Sequence, residues 1–242
     1  MASAMMTEII EWLNEYKVKT RCAGVVLGIS GGKDSTTVAM LAKKVWGDNV
    51  IGVLMPNSHQ GDIEDSKMVC EQVGIRSVVV NIGDAYSALL ADISKAGVTV
   101  SPKAVTNIPP RLRMTTLYAI AQSNGYRVIG TGNASEAYIG WTTKWGDSAY
   151  DINPIYHLTC HQVVELGVEL AKEFCVDEGL IRKPPADGIT GMSDEDNFGF
   201  TYDQLDRVIS SDTSVPLDVV RKICDMHIAT QHKRRMPYTM AE

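Results

Sequence analysis

The apolar, β-branched run Gly24-Val-Val-Leu-Gly-Ile29 stops abruptly at Ser30-Gly31-Gly32, and a helical pattern begins within two residues of the break. A short buried strand turning tightly into a helix is the repeating unit of open α/β sheets, so this one feature narrows the fold most. From Asp34 the residues Val38, Leu41 and Val45 share one helical side, and Gly47 is placed to stop the helix. Strand-like Val50–Met55, a polar loop from Pro56, a helix around Ile63–Val73, strand-like Ser77–Ile82 and a helix over Asp84–Ser94 follow. Further on, Arg111–Ser123 reads as helix, Arg127–Gly130 as strand, and Leu158–Phe174 and Leu217–Thr230 as helices. Strands and helices alternating in this way predict an α/β fold, a doubly wound parallel sheet with helical additions.

One domain is expected over residues 1–242. It opens with an amphipathic helix over 3–20, set by Ile9, Leu13 and Tyr16, and continues as a core over 24–175 and C-terminal helices over 201–235. Ala96–Pro110 and Lys183–Gly199 lack periodicity and are rich in Gly, Pro and small polar residues, so both read as loops, the second as a mobile one.

The formal net charge of −6 argues against a general nucleic-acid binder, although His232-Lys233-Arg234-Arg235 concentrates positive charge locally. Five scattered cysteines without a Cys-x-x-Cys pair suggest neither a zinc ribbon nor a disulfide framework, which fits a reducing cytoplasm. The N-terminal residues do not resemble a signal peptide, and no apolar run approaches the roughly 20 residues that cross a membrane. A cytoplasmic protein with no nucleic-acid or membrane partner is the expectation.

The turn Gly28-Ile-Ser-Gly-Gly-Lys-Asp-Ser35 lies where open α/β sheets bind ligands, at a strand's C-terminal end and a helix start. Its small residues let backbone N–H groups of Gly28, Ile29, Ser30, Gly31, Gly32, Lys33, Asp34 and Ser35 approach a phosphate, and Ser30 and Ser35 add hydroxyls. A carboxylate at Asp34 would repel phosphates, but it makes sense if it holds Mg²⁺ bridging to them. Lys33 is followed by Asp34 rather than Ser or Thr, and Ser30 occupies the middle glycine position of the dinucleotide fingerprint, so neither common nucleotide loop is present. An ordinary glycine turn with Asp34 capping the helix is the competing reading.

Other charged residues carry paired readings. Glu136 follows Thr131-Gly132 at a further strand end and can join Asp34 at a shared Mg²⁺, or be a solvated helix-start glutamate. Arg111 and Lys144 can clamp an anionic dinucleotide, or be surface cations. Asp147 and Asp151 can bind ribose hydroxyls or orient an attacking amine, or cap turns. His232 and Lys233 can close over a phosphate, or belong to a solvated charge run.

Ser-Gly-Gly-x-Asp-Ser resembles the pyrophosphatase loop of enzymes that split ATP between its α and β phosphates. Asn107-Ile-Pro-Pro-Arg-Leu-Arg-Met114, Gly130-Thr-Gly-Asn-Ala-Ser-Glu136, Thr143-Lys-Trp-Gly-Asp147, Asp151-Ile-Asn-Pro154 and His232-Lys-Arg-Arg235 resemble motifs of the ammonia-dependent NAD synthetase family, in its order, over roughly Gly24 to Tyr238. The resemblance implies an adenine nucleotide alpha hydrolase-like sheet and amidation of deamido-NAD with ATP and Mg²⁺, through an adenylated carboxylate. Within it, Asp34 and Glu136 bind metal, the loop Gly28–Ser35 and Thr131 contact ATP, and Arg111, Lys144, Asp151, His232 and Lys233 contact deamido-NAD. Asp147 sits near the reaction centre and, with Lys33, is a candidate catalytic group. A homodimer is implied, with free ammonia as nitrogen donor unless a separate subunit supplies it. The two aperiodic stretches gain a role as lids.

Three positions depart from the family pattern. Cys160 stands where a lysine usually reaches the ATP phosphates, Pro185 where a hydroxyl is usual, and Lys33 at a position usually apolar or Gln. Lys33 is read as the compensating cation, and Cys160 and Pro185 are kept as ATP-side positions. His157, Cys160 and His161 share a helical face but lack the Glu of a His-Glu-x-x-His zinc motif. A tRNA-modifying relative and a non-catalytic nucleotide sensor are the alternatives.

Overall fold

The computed structural model describes residues 2–58, 63–183, 193–237 and 240. Strands β1 (Val25–Gly28), β2 (Val50–Leu54), β3 (Arg76–Val79) and β4 (Arg127–Val128) form a parallel sheet in the order β3-β2-β1-β4. The early helices are α1 (Ala2–Thr20), α2 (Lys33–Trp46), α3 (Ile63–Val73), α4 (Gly83–Lys95) and α5 (Pro102–Asn124). They are followed by α6 (Ala134–Ile139), α7 (Cys160–Phe174), α8 (Glu178–Arg182), α9 (Asp194–Phe198), α10 (Tyr202–Ile209), α11 (Leu217–Ala229) and α12 (Gln231–Arg234).

Period-two alternation along β1 sends Val25 and Leu27 into one core and Val26 into another. The first core joins them to Ile9 and Leu13 of α1, Val38 and Leu41 of α2, Leu166 and Leu170 of α7, and Ile181 of α8. The second packs Val26, Ile51, Val53 and Val128 against Ala121, Leu117 and Tyr118 of α5. Apolar surface on both sheet faces is why β1 and β2 read as continuous apolar runs. Helix α2 is buried nearly all round, and Gly47, in the left-handed region at φ 59°, ends it as expected. A third cluster, Ile139, Cys160, Phe198, Phe200, Tyr202, Leu205 and Ile223, fastens α9, α10 and α11 over the ends of α6 and α7.

Two loop expectations are corrected. The stretch read as a loop to Pro110 is helical from Pro102 onward. Ser101 caps it by accepting from Ala104 N at 3.3 Å, and Pro102 sits in the first turn, where its missing N–H costs nothing. Pro109 and Pro110 lie inside the helix, and Pro110 packs against the turn around Gly146, so tertiary contact overrides the breaker signal. In the segment read as a mobile loop over 183–199, Ser193 and Asp196 form a capping box that starts α9, anchored by buried Phe198. Residues 184–192, among them Pro185, lie outside the described residues.

Candidate functional site

Strand β1 has β2 on one side and β4 on the other, so the chain reverses winding direction there, and the glycine turn opens into that crevice. Gly31 has φ +80°, and a Cβ there would lie 2.8 Å from Asp65 Cβ and 3.1 Å from Ser66 N, so only glycine fits. The turn braces itself. Ser35 Oγ accepts from Ser30 N at 3.3 Å and donates to Gly32 O at 3.1 Å, while Gly32 N donates to Ser30 Oγ at 3.3 Å. No side chain caps α2 at Gly32, so the free N–H groups of its first turn remain for an anion. Asp34 falls in the first turn of α2 and is not its cap.

Thr131 and Asn133 leave β4 alongside this turn. Asn133 is fully buried and bonds in three directions: Oδ1 accepts from Glu136 N at 3.0 Å, its N–H donates to Glu136 Oε2 at 3.2 Å, and Nδ2 donates to Asp34 Oδ1 at 3.0 Å. It caps α6 and ties the two candidate metal carboxylates together. Lys33 Nζ contacts the other Asp34 oxygen, Oδ2, at 2.7 Å, and the lysine is only 4% exposed. Burial opposes the Lys33 charge, but the Asp34 carboxylate beside it outweighs burial and holds the ammonium above its usual range. Burial, with the Asp34 charge beside it, pushes the Glu136 carboxyl well above the usual range.

Cys160 begins α7, is buried, and donates its N–H to Ser135 Oγ at 2.9 Å. Burial pushes its thiol up to about 12, against the pull of Lys33, so a neutral thiol stands where the lysine was missed. His161 turns its Nδ1 to Asp206 Oδ2 at 2.8 Å, and among the described residues no group of three His, Cys, Asp or Glu side chains could hold a metal. Asp206 also accepts from Ser135 Oγ and from His161 N at 3.0 Å, which fixes α10 to the starts of α6 and α7.

A second wall carries most of the candidate dinucleotide contacts. Asp147 Oδ1 accepts from Thr143 N at 2.6 Å and Thr142 Oγ1 at 3.0 Å, and Thr143 Oγ1 donates to Asn107 of α5 at 2.6 Å. Arg111 reaches Lys144 O at 3.4 Å, and Lys144 Nζ donates to His232 O at 2.5 Å. Lys233 Nζ donates to Gly140 O at 2.7 Å and Thr142 O at 2.6 Å, and Arg234 to Ala137 O and Tyr138 O at 3.0 Å each. The C-terminal basic run thus binds the carbonyls at the end of α6. Asp151 stands apart, its Oδ2 accepting from Val128 N at 2.8 Å beside β4.

The model of the NAD synthase family matches residues 5–237. The chain belongs to that family. NAD synthases are ligases that form a C–N bond. An NH3-dependent NAD+ synthetase of Carboxydothermus hydrogenoformans is 38% identical over 235 residues, 95% of this chain and 94% of the relative. An NMN synthetase from Francisella tularensis superposes with a TM-score of 0.90 at 32% identity, over 99% of this chain and 98% of that one. An NH3-dependent NAD synthetase from Campylobacter jejuni superposes with a TM-score of 0.81 at 25% identity, over 99% of both chains. The sheet and its flanking helices are the adenine nucleotide alpha hydrolase-like fold of NAD synthases.

Asn133, Tyr202 and Asp206 were not singled out from the sequence. Asn133 carried a signal: Asn followed three residues later by Glu is a capping pattern. Tyr202 and Asp206 carried none, since they reach the candidate site from a distant helix. Asn133→Ala is expected to lower stability by about 1–2 kcal/mol through the lost cap and the buried groups left unpaired. The same change should loosen ATP binding in the presence of Mg²⁺. Urea unfolding and nucleotide titration check both, and a full-strength site in a destabilised variant would mean that Asn133 only caps.

Proposed function

We propose that this chain amidates deamido-NAD with ammonia, using ATP and releasing AMP and pyrophosphate. The observation that carries this is Asn133 joining Asp34 of the glycine turn to Glu136 at the switch point of the sheet. Two carboxylates with phosphate oxygens make a hard oxygen set, which fits Mg²⁺. Asp34 and Glu136 would hold the ion, which when bound neutralises phosphate charge. The N–H groups from Gly28 to Ser35, with Thr131, would receive the phosphates, and Lys33 would supply the cation absent at Cys160. Arg111, Lys144, His232, Lys233 and Asp151 are the proposed dinucleotide contacts.

A nicotinate carboxylate is a poor electrophile because oxide is a poor leaving group. One of its oxygens attacks the α-phosphorus, the α–β bridging bond breaks, and pyrophosphate leaves. Ammonia then attacks the acyl carbon, a proton is lost, and AMP departs with the former carboxylate oxygen. The Asp147 carboxylate, held by Thr142 and Thr143, would orient the amine. The described helices include none long and apolar enough to cross a membrane, which fits work in the cytoplasm. Helix α4 buries only Gly83, and Leu89 on it and Val79 on the open edge strand β3 are exposed, which supports pairing with a second copy.

A second reading has one specific observation behind it: the TM-score of 0.90 to an NMN synthetase exceeds the 0.81 to the Campylobacter jejuni NAD synthetase. In that reading the same carboxylate is amidated on nicotinate mononucleotide, without the adenylate half. The test incubates protein with ATP, Mg²⁺ and ammonium, and compares deamido-NAD with nicotinate mononucleotide while following AMP, pyrophosphate and the amide product. The expected result is equimolar AMP, pyrophosphate and NAD, with kcat/KM on deamido-NAD at least about tenfold higher. The reverse preference would establish the mononucleotide reading. No ATP cleavage with either acid would remove both.

A further inference from the structure

Both oxygens of the carboxylate expected to take Mg²⁺ already have a partner. Asp34 Oδ1 accepts from Asn133 Nδ2 at 3.0 Å and Oδ2 from Lys33 Nζ at 2.7 Å. Adjacent residues on a helix do not face one another, so this contact requires the lysine stem to fold back over its neighbour. Lys33 is also the first residue of α2, where a positive charge opposes the helix dipole. Helix stability therefore gives no reason for a cation at this point. What surrounds it does: Asp34 Oδ2 lies 2.7 Å from Nζ, the Tyr202 ring of α10 lies 5.6 Å from it, and the side chain is buried.

Two carboxylates held together by one asparagine repel each other when both are ionised. A buried ammonium on Asp34 offsets part of that repulsion, as a divalent ion would. We propose that Lys33 is a tethered resident cation that sits on Asp34 of the Asp34–Glu136 pair before nucleotide binds and moves off it when Mg²⁺ arrives with ATP. Bare divalent ions then meet a seat already neutralised. ATP brings phosphate oxygens that receive the displaced ammonium, so metal and nucleotide enter together.

This inference rests on the reading of Asp34 and Glu136 as metal carboxylates, and the test separates the two. Binding of Mn²⁺, a paramagnetic stand-in for Mg²⁺, is measured by electron paramagnetic resonance for wild type, Lys33→Met and Lys33→Met/Glu136→Gln. Each is measured without nucleotide and with the α,β-methylene analogue of ATP, which cannot be split at that bond. Wild type should bind bare Mn²⁺ weakly and bind it well with the analogue. Lys33→Met should bind bare Mn²⁺ at least about tenfold more tightly than wild type, because a positive charge a few ångströms from the seat is gone. The double variant should lose that gain. Lys33→Gln provides the same comparison if the methionine variant does not fold. Equal bare-ion affinity in wild type and Lys33→Met, with a nucleotide-dependent site in both, would overturn the resident cation and leave the metal reading standing. No Mn²⁺ bound even with the analogue would overturn both.

Discussion

Asp34→Asn is expected to lower the rate of ATP cleavage by about 10³-fold while leaving the protein folded. The amide keeps the volume of the carboxylate and can still accept from Lys33 or Asn133, whose bonds now end on Oδ2 and Oδ1. It removes the negative charge that a hard divalent ion needs beside the phosphates, and loss of one such electrostatic group commonly costs a factor of 10² to 10³ or more. Asparagine is the better probe than alanine, because alanine would strip a partner from the buried Lys33 ammonium and mix a folding effect with the chemical one. Pyrophosphate release under saturating ATP and Mg²⁺, read beside a thermal melt, checks the expectation. Turnover within about tenfold of the parent would mean that Asp34 is no metal ligand and that its place in the glycine turn is structural.

The largest expected effect on stability lies away from the site. Leu166→Ala is expected to cost about 3–5 kcal/mol and to lower the melting temperature by about 6–15 °C. Leu166 is fully buried in the core that α7 shares with α1, α2 and the sheet. The neighbouring Gly167 shows why the cavity would stay open. A Cβ there would meet Thr37 Oγ1 at 2.6 Å and Ile181 Cγ2 at 2.9 Å, so α7 already touches α2 and α8 and cannot slide inward. Activity at low temperature should survive, because Leu166 touches none of the proposed ligands. A melting shift under about 3 °C would show that the helices relax around the lost volume.

The candidate site was legible in the sequence where its geometry is local. The turn from Gly28 to Ser35 needs no distant partner to be recognised, since an apolar strand, small residues and a helix start are consecutive in the chain. Glu136 could be placed at a second strand end for the same reason. What could not be read is which groups meet. Asn133 sits 99 positions from Asp34, yet its amide is what joins the two carboxylates. Asp206 anchors Ser135 from 71 positions away, and Lys233 reaches Gly140 and Thr142 across more than 90. Hydropathy and spacing carry no information about such pairings. Proline misled for a related reason. Pro109 and Pro110 break an isolated helix, but the N-terminal part of α5 is held by Asn107 on Thr143 and by Pro110 against Gly146.

The alternation of short apolar runs with amphipathic helices was enough by itself to fix a parallel sheet covered on both faces, because strands buried on both sides must be apolar throughout and their crossovers must be helical. The phosphate-type turn followed from the same local rules. Only the tertiary structure decided that Lys33 folds onto Asp34 under Tyr202, that Cys160 is a buried neutral thiol, and that the C-terminal cations bind the end of α6. Each of those outcomes depends on which helices come to lie beside α2 and α6, and that is set by packing between segments far apart in the chain.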